Sequence, residues 1–175
     1  MKWITLSILT ATTLFAGNFT LQSSDLQGQL TKVQEFNGFG CSGENKSPSL
    51  HWSNAPKGTK SFSLTMYDPD APTGSGWWHW IVVNIPADTR SIASDASAKK
   101  TLPKGAVETV TDYGSASFGG ACPPEGDKAH RYIFTIYALD TDTLEVNAKS
   151  DSALVGYMIN SHTIQKASMI SYYGR

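Results

Sequence analysis

The sequence predicts a predominantly β domain with a few helices on its periphery. Three observations carry that prediction. Residues 61–67 (SFSLTMY) alternate, with Phe62, Leu64 and Met66 on one side and Ser61, Ser63 and Thr65 on the other, which is the period of a strand with unlike faces. Two further runs, 77–85 (WWHWIVVNI) and 130–139 (HRYIFTIYAL), are apolar on nearly both faces and read as central strands covered on both sides. Fifteen glycines and eight prolines favour turns between strands over long helices, and helical spacing of apolar residues stands out in one place only, near the C-terminus. At 175 residues and 40% hydrophobic, the chain is ample for the core of one domain.

The elements follow in order. Residues 1–16 read as a signal peptide. Lys2 is the only charge before Asp25, residues 3–15 form an apolar, Thr-rich run, and Ala16 and Gly17 offer small residues for cleavage. The run is shorter than the roughly 20 apolar residues that a bilayer span needs. The alternative is a buried N-terminal strand or helix. Cleavage leaves one domain of residues 17–175, periplasmic or secreted. Residues 21–36 hold mixed alternation and are expected to form early strands. Residues 87–128 read as mostly loop, with one strand at 106–110, and a connection that long carries function or packs specifically. Ser150 or Asp151 caps the helix, in which Leu154, Val155, Met158, Ile159 and His162 follow helical spacing and Gly156 is the weak point. Residues 167–173 make a last strand.

Charge and motifs exclude several classes. A formal net charge of −1 leaves no basic stripe to neutralise phosphates, so a charge-driven nucleic-acid binder is excluded. Gly38, Gly40 and Gly43 match the dinucleotide-binding spacing on paper, but no helix can start in the polar run before Pro48 and no βαβ unit follows. There is no GK dipeptide for a phosphate loop and no serine in a G-x-S-x-G elbow. Asn18 and Asn45 head glycosylation sequons that matter only in a eukaryotic secretory pathway. The two cysteines, Cys41 and Cys122, lie in glycine-rich loops. In an oxidising compartment they are expected to form one disulfide tying those loops together; in a reducing one they stay thiols.

Three segments concentrate polar residues at the ends of apolar strands. In Asp68-Pro69-Asp70-Ala71-Pro72 the prolines end the strand, and Asp68 and Asp70 share a side if the chain stays extended. In the run 74–80 (GSGWWHW) a glycine loop leads into three tryptophans around His79. Strict alternation puts His79 on the face of Ile81 and Val83, with Trp78, Trp80 and Val82 on the other. A histidine heading an apolar face needs a partner, and either aspartate can orient the ring and favour the imidazolium. In the third segment, 122–132, His130 and Tyr132 point to one face and Arg131 to the other, where it is expected to make a salt bridge. Together these pieces suggest a small pocket with two imidazoles, a phenol, glycine N–H groups and two carboxylates. Phosphate suits such donors. The carboxylates would hold the imidazoles, or accept from a ligand that also carries an ammonium group. The tryptophans are read as core or rim packing.

These motifs, DPDAP, the histidine of WWHW and HRY after a glycine-containing loop, resemble the phosphatidylethanolamine-binding protein family, also called Raf-kinase-inhibitor-like proteins. The stretch SPSLHWSNAPKGTKSFSLTMYDPDAPTGSGWWHWIVVNIP is similar to the exported bacterial branch, and with FGGACPPEGDKAHRY the likeness covers nearly the whole mature chain. The resemblance implies a central β-sandwich with peripheral helices and a small anion pocket. Carried over residue by residue, that pocket involves Asp68, Asp70, His79, His130 and Tyr132, with Gly120 and Pro124 on the neighbouring loop. It implies no cofactor and no metal. It also implies a small phosphorylated or zwitterionic ligand, a protein partner in some members, and a homodimer in crystals. The tryptophan before His79 and the leader depart from the eukaryotic pattern and weigh against kinase inhibition.

The functional expectation is a non-enzymatic binding protein for a phosphate-bearing head group or phosphorylated partner. The alternatives are a protein-interaction module, such as a protease or kinase inhibitor, and a small hydrolase, for which no nucleophile is evident.

Overall fold

The computed structural model describes residues 17–175, and the leader expected at residues 1–16 lies outside the described residues. Strands β1 (Thr20–Gln22), β4 (Leu50–Ser53) and β7 (Ser91–Ile92) form an antiparallel sheet in the order β1-β4-β7. Strands β5 (Ser61–Asp68), β6 (Trp77–Pro86), β8 (Val107–Glu108), β9 (His130–Leu139) and β10 (Thr163–Tyr173) form a second, in the order β10-β9-β5-β6-β8, also antiparallel. A small ribbon pairs β2 (Asn37–Gly38) with β3 (Cys41–Ser42). Two helices, α1 (Ala96–Lys99) and α2 (Ser152–Ser161), complete the fold. Among the described residues no helix is long and apolar enough to cross a membrane.

The two larger sheets pack face to face. Phe62, Leu64 and Met66 of β5 are fully buried and share one core with Leu21, Leu50, Trp52 and Ile92 of the smaller sheet. Phe62 stacks on Phe19 at 6.3 Å and meets Trp52 edge-on at 5.5 Å. Each such side chain contributes about 1.5–3 kcal/mol of burial. The opposite face of the large sheet carries Ile81, Val83 and Leu139, covered by Val155 and Ile159 of α2 and by Leu144. Burial on both faces is why β6 and β9 read as continuous apolar runs. Helix α2 begins where expected: the Asp151 side chain accepts the Leu154 N–H at 2.9 Å.

Three expectations change. Residues 21–36 give only β1 and two isolated parallel bridges, from Gln29 to Tyr172 and from Glu35 to Ala121. Polar side chains there claim the backbone locally, as when Gln34 Oε1 accepts from both the N–H and the hydroxyl of Thr31, so a regular ladder does not form. The strand expected at 106–110 shortens to β8, and the last strand begins four residues earlier than predicted, at Thr163.

Two tethers hold the loops. Cys41 and Cys122 are disulfide-bonded with Cα atoms 5.9 Å apart, closing a separation of 81 residues. Arg131, on the exposed side of β9, grips Asp70 through Nε at 2.8 Å, Nη2 at 2.7 Å and its backbone N–H at 2.9 Å. The guanidinium holds the Asp70 carboxyl well below the usual carboxylate range, against the opposing effect of burial.

Replacing both cysteines by alanine is expected to lower unfolding free energy by about 3–5 kcal/mol in urea titrations, because the unfolded chain regains the freedom of an 81-residue loop. Asp70 stabilises the fold above its unfolded pKa of about 3.9, and that contribution disappears as pH falls towards its lower folded value. Asp70→Asn should therefore lower the urea midpoint at pH 7, and the gap between wild type and variant should close below about pH 4.

Candidate functional site

The order β9-β5-β6 sets three polar strand ends side by side, with Asp68 at the end of β5 between the starts of β6 and β9. A cavity of about 190 Å³ opens there, lined by Asp68, Trp77, His79, Tyr113, His130 and Tyr132 in its interior and by Phe39, Pro72, Pro123 and Pro124 among its other walls.

Asp68 is 2% exposed and fully engaged. Its Oδ1 accepts the N–H groups of Asp70 at 2.8 Å and Ala71 at 3.1 Å, which closes the turn the prolines begin. Its Oδ2 accepts from Nδ1 of His130 at 2.8 Å. A buried carboxylate satisfied by three donors is the condition for leaving it inside a protein at all. With its N–H on Nδ1, His130 presents Nε2, which stands 3.6 Å from the Asp127 carboxylate.

A bulge in β6 places His79. Met66 pairs with Trp80 and Tyr67 with Trp78, so His79 is the extra residue. Alternation is interrupted there. Trp78 packs on Tyr67, with ring centres 4.6 Å apart, and joins the cluster under α2. His79 turns instead to the face of Tyr132, 5.1 Å away edge-on, and away from Ile81 and Val83. This reverses the faces that strict alternation predicts for Trp78 and His79.

His79 is also held differently than expected. Its Nδ1 donates to the carbonyl oxygens of Gly119 at 2.9 Å and Gly120 at 3.1 Å, and no aspartate touches the ring. Burial pushes its pKa down, so the neutral imidazole is favoured over the imidazolium. Its Nε2 is buried without a partner among the described residues, as are the Tyr132 hydroxyl and Nε1 of Trp77. Burial raises the pKa of both Tyr132 and Tyr113, which keeps both as neutral phenols.

The structure therefore brings Asp68, His79, His130, Tyr132 and Pro124 to one cavity and separates two other residues from its lining. Asp70 faces Arg131 outside the cavity, because the turn after Asp68 directs its side chain to the exposed side of β9. Gly120 acts from behind: its carbonyl receives His79 and the Tyr113 hydroxyl at 2.8 Å, and its N–H reaches Asn45 at 2.7 Å. A Cβ at Gly120 would stand 2.0 Å from the Gln34 carbonyl oxygen, so the close backbone approach demands glycine.

Three aromatic lining residues fall outside the set that the motifs point to. Trp77, which the sequence reads as core or rim packing, lines the cavity. Tyr113 lies in the long loop and stacks on Phe36 at 4.2 Å, with Trp77 and His79 edge-on to it at 5.4 Å each. Its signal is an aromatic residue alone among small polar ones in TDYGSAS. Phe39 sits at the rim, 72% exposed and with φ of 54°, between Gly38 and Gly40. The arrangement offers a small, aromatic-walled cavity with a few convergent polar groups, the usual form of a small-ligand site.

Comparison with known proteins agrees with this architecture. A family model described as phosphatidylethanolamine-binding protein matches residues 22–174. The chain is 49% identical to YbcL of Escherichia coli over 180 residues, covering 99% of this chain and 98% of that one. It is 46% identical to Escherichia coli YbhB over 156 residues, covering 87% and 98% respectively. The crystal structure of YbcL, described as a new member of the mammalian PEBP family, superposes with a TM-score of 0.88 at 51% identity, over 91% of this chain and 99% of that one. A Chlamydia trachomatis structure superposes with a TM-score of 0.75 at 28% identity, over 90% of this chain and 97% of that one. The sandwich, the cavity at the ends of β5, β6 and β9, and a match running from β1 to the end of β10 lead to one conclusion: the chain belongs to the phosphatidylethanolamine-binding protein family.

Proposed function

We propose that this chain is a non-enzymatic binding protein whose cavity takes a small phosphate-bearing group, either a free head group or the phosphate of a phosphorylated partner. One observation carries the reading. Nε2 of His79, the hydroxyl of Tyr132 and Nε1 of Trp77 are buried polar atoms without partners among the described residues, and all three residues line the same cavity. Each such atom costs about 1–3 kcal/mol if left unmatched, so their convergence points to a polar ligand that completes them. A phosphate, with several oxygens that accept and, when singly ionised, a P–OH that donates, answers three such atoms at once. The Cys41–Cys122 disulfide supports a working place outside the reducing cytosol, in the periplasm or beyond the cell.

Titration of the mature protein with phosphoethanolamine, inorganic phosphate and acetate tests this, read by tryptophan fluorescence because Trp77 lines the cavity. The two phosphate compounds should bind saturably and acetate more weakly, and His79→Ala should weaken phosphate binding at least about tenfold. Absence of binding by all three sinks the reading.

A second reading, a protein-interaction module, draws on Phe39, whose large exposed ring at the cavity rim suits a partner's surface. Pull-downs from periplasmic extract with wild type and Phe39→Ser test it. A partner retained by the first and lost by the second supports docking at the rim, and equal retention by both opposes it.

A further inference from the structure

We propose that the cavity selects a phosphate that still carries a proton, the monoanion of a phosphomonoester, whose P–OH donates to Nε2 of His79, and that it discriminates against phosphodiesters. This rests on the phosphate reading above.

The hydrogen-bond inventory of His79 carries the inference. A neutral imidazole has one N–H. In His79 that proton is committed to Nδ1, which faces the carbonyl oxygens of Gly119 and Gly120 at 2.9 and 3.1 Å, and a carbonyl can only accept. Nε2 therefore offers a lone pair, and it is buried with no donor to meet it among the described residues. An oxygen of a fully ionised phosphate would set lone pair against lone pair. A P–OH matches it. The neighbouring orphans supply the complement: Trp77 Nε1–H can only donate and the Tyr132 hydroxyl can donate, which suits the two ionised oxygens.

The other route, protonating His79 to meet an ionised phosphate, is opposed by its surroundings. The ring is 2% exposed, and burial disfavours its charge. The titratable groups facing it do not offset this. From β5, Asp68 is engaged by His130, Asp70 N–H and Ala71 N–H. From the loop after β8, Asp112 accepts from Trp78 N–H at 2.7 Å and the Ser152 hydroxyl at 3.1 Å, and Tyr113 stays a phenol. From β9, Tyr132 stays a phenol and His130 turns its N–H to Asp68. Asp127, before β9, faces His130 at 3.6 Å. A phosphodiester has no P–OH, so its phosphate leaves Nε2 of neutral His79 unmatched, or matches it only by charging the ring. An intact phospholipid head group is a diester, whereas a free head group is a monoester, so the same chemistry separates those two sources.

The test is calorimetric titration of the mature protein with phosphoethanolamine and with glycerophosphoethanolamine, a diester bearing the same ammonium group. It is done at about pH 5 and pH 8, with the phosphorus NMR shift of bound phosphoethanolamine recorded near pH 7.5. The second ionisation of a phosphomonoester lies near pH 6, so monoester affinity should fall about 100-fold between those pH values. The diester should bind at least about tenfold more weakly at the lower pH. The bound monoester should keep the shift of its monoanion at pH 7.5. His79→Gln, whose amide can donate or accept, should flatten the pH dependence and narrow the gap between the two compounds. Equal monoester affinity at both pH values, a dianion shift in the complex, or a diester bound as tightly as the monoester overturns the proposal while leaving the phosphate reading intact. Failure of both compounds to bind at either pH overturns the phosphate reading and this inference with it.

Discussion

Strand β5 is buried on both faces along nearly its whole length, and the rest of the structure is arranged around that constraint. Its apolar side chains fill the core between the sheets, and its neighbours β6 and β9 inherit their register from it. A central strand cannot end in unpaired polar groups without cost. Asp68 resolves this by binding two backbone N–H groups of the turn and the imidazole of His130. The same carboxylate thereby ends the strand, shapes the turn and fixes one wall of the cavity. Its charge serves the protein internally, so a carboxylate in the lining is compatible with an anionic ligand.

The cavity floor and its rim are built by different means. Strands form the floor, which is rigid because each strand is hydrogen-bonded to its neighbours and covered by side chains. Loops form the rim, and they are tied together. The disulfide joins the loop bearing Phe39 to the one bearing Pro123 and Pro124. Arg175 joins the same two loops, donating to the carbonyls of Pro123 at 2.7 Å and Gly40 at 3.1 Å. A rim tethered in this way loses less freedom when a ligand binds, which favours affinity in a small site.

Much of the fold was legible in the sequence, and the parts that were not share a cause. The alternation of residues 61–67 and the apolar runs of β6 and β9 reflect burial of one or both faces, a property that side-chain chemistry records directly. Strand β4 alternates buried and exposed residues too, but over only four positions, where a pattern hardly rises above chance. Residues 21–36 carry apolar residues at irregular spacing because Leu26 and Leu30 are buried from a segment of bends and isolated bridges rather than from a regular ladder. For the site, Asp68, His79, His130 and Tyr132 were identifiable as polar residues at the ends of apolar strands. Asp70 was not separable from Asp68, since the two differ only in which way a proline-bounded turn sends them.

Hydrophobic period, local capping and recurring motifs suffice for the mainly β class, the central strands, the C-terminal helix with a cap at Ser150 or Asp151, and the family. The facing of His79, the tautomer it holds, the part played by Tyr113 and the separation of Asp70 from the cavity come from the folded chain alone. Each of these depends on one backbone irregularity or one contact between residues distant in the chain. A bulge adds a single residue and inverts two side chains without altering composition. The carbonyls that orient His79 lie 40 and 41 positions away and leave no mark on the residues around it.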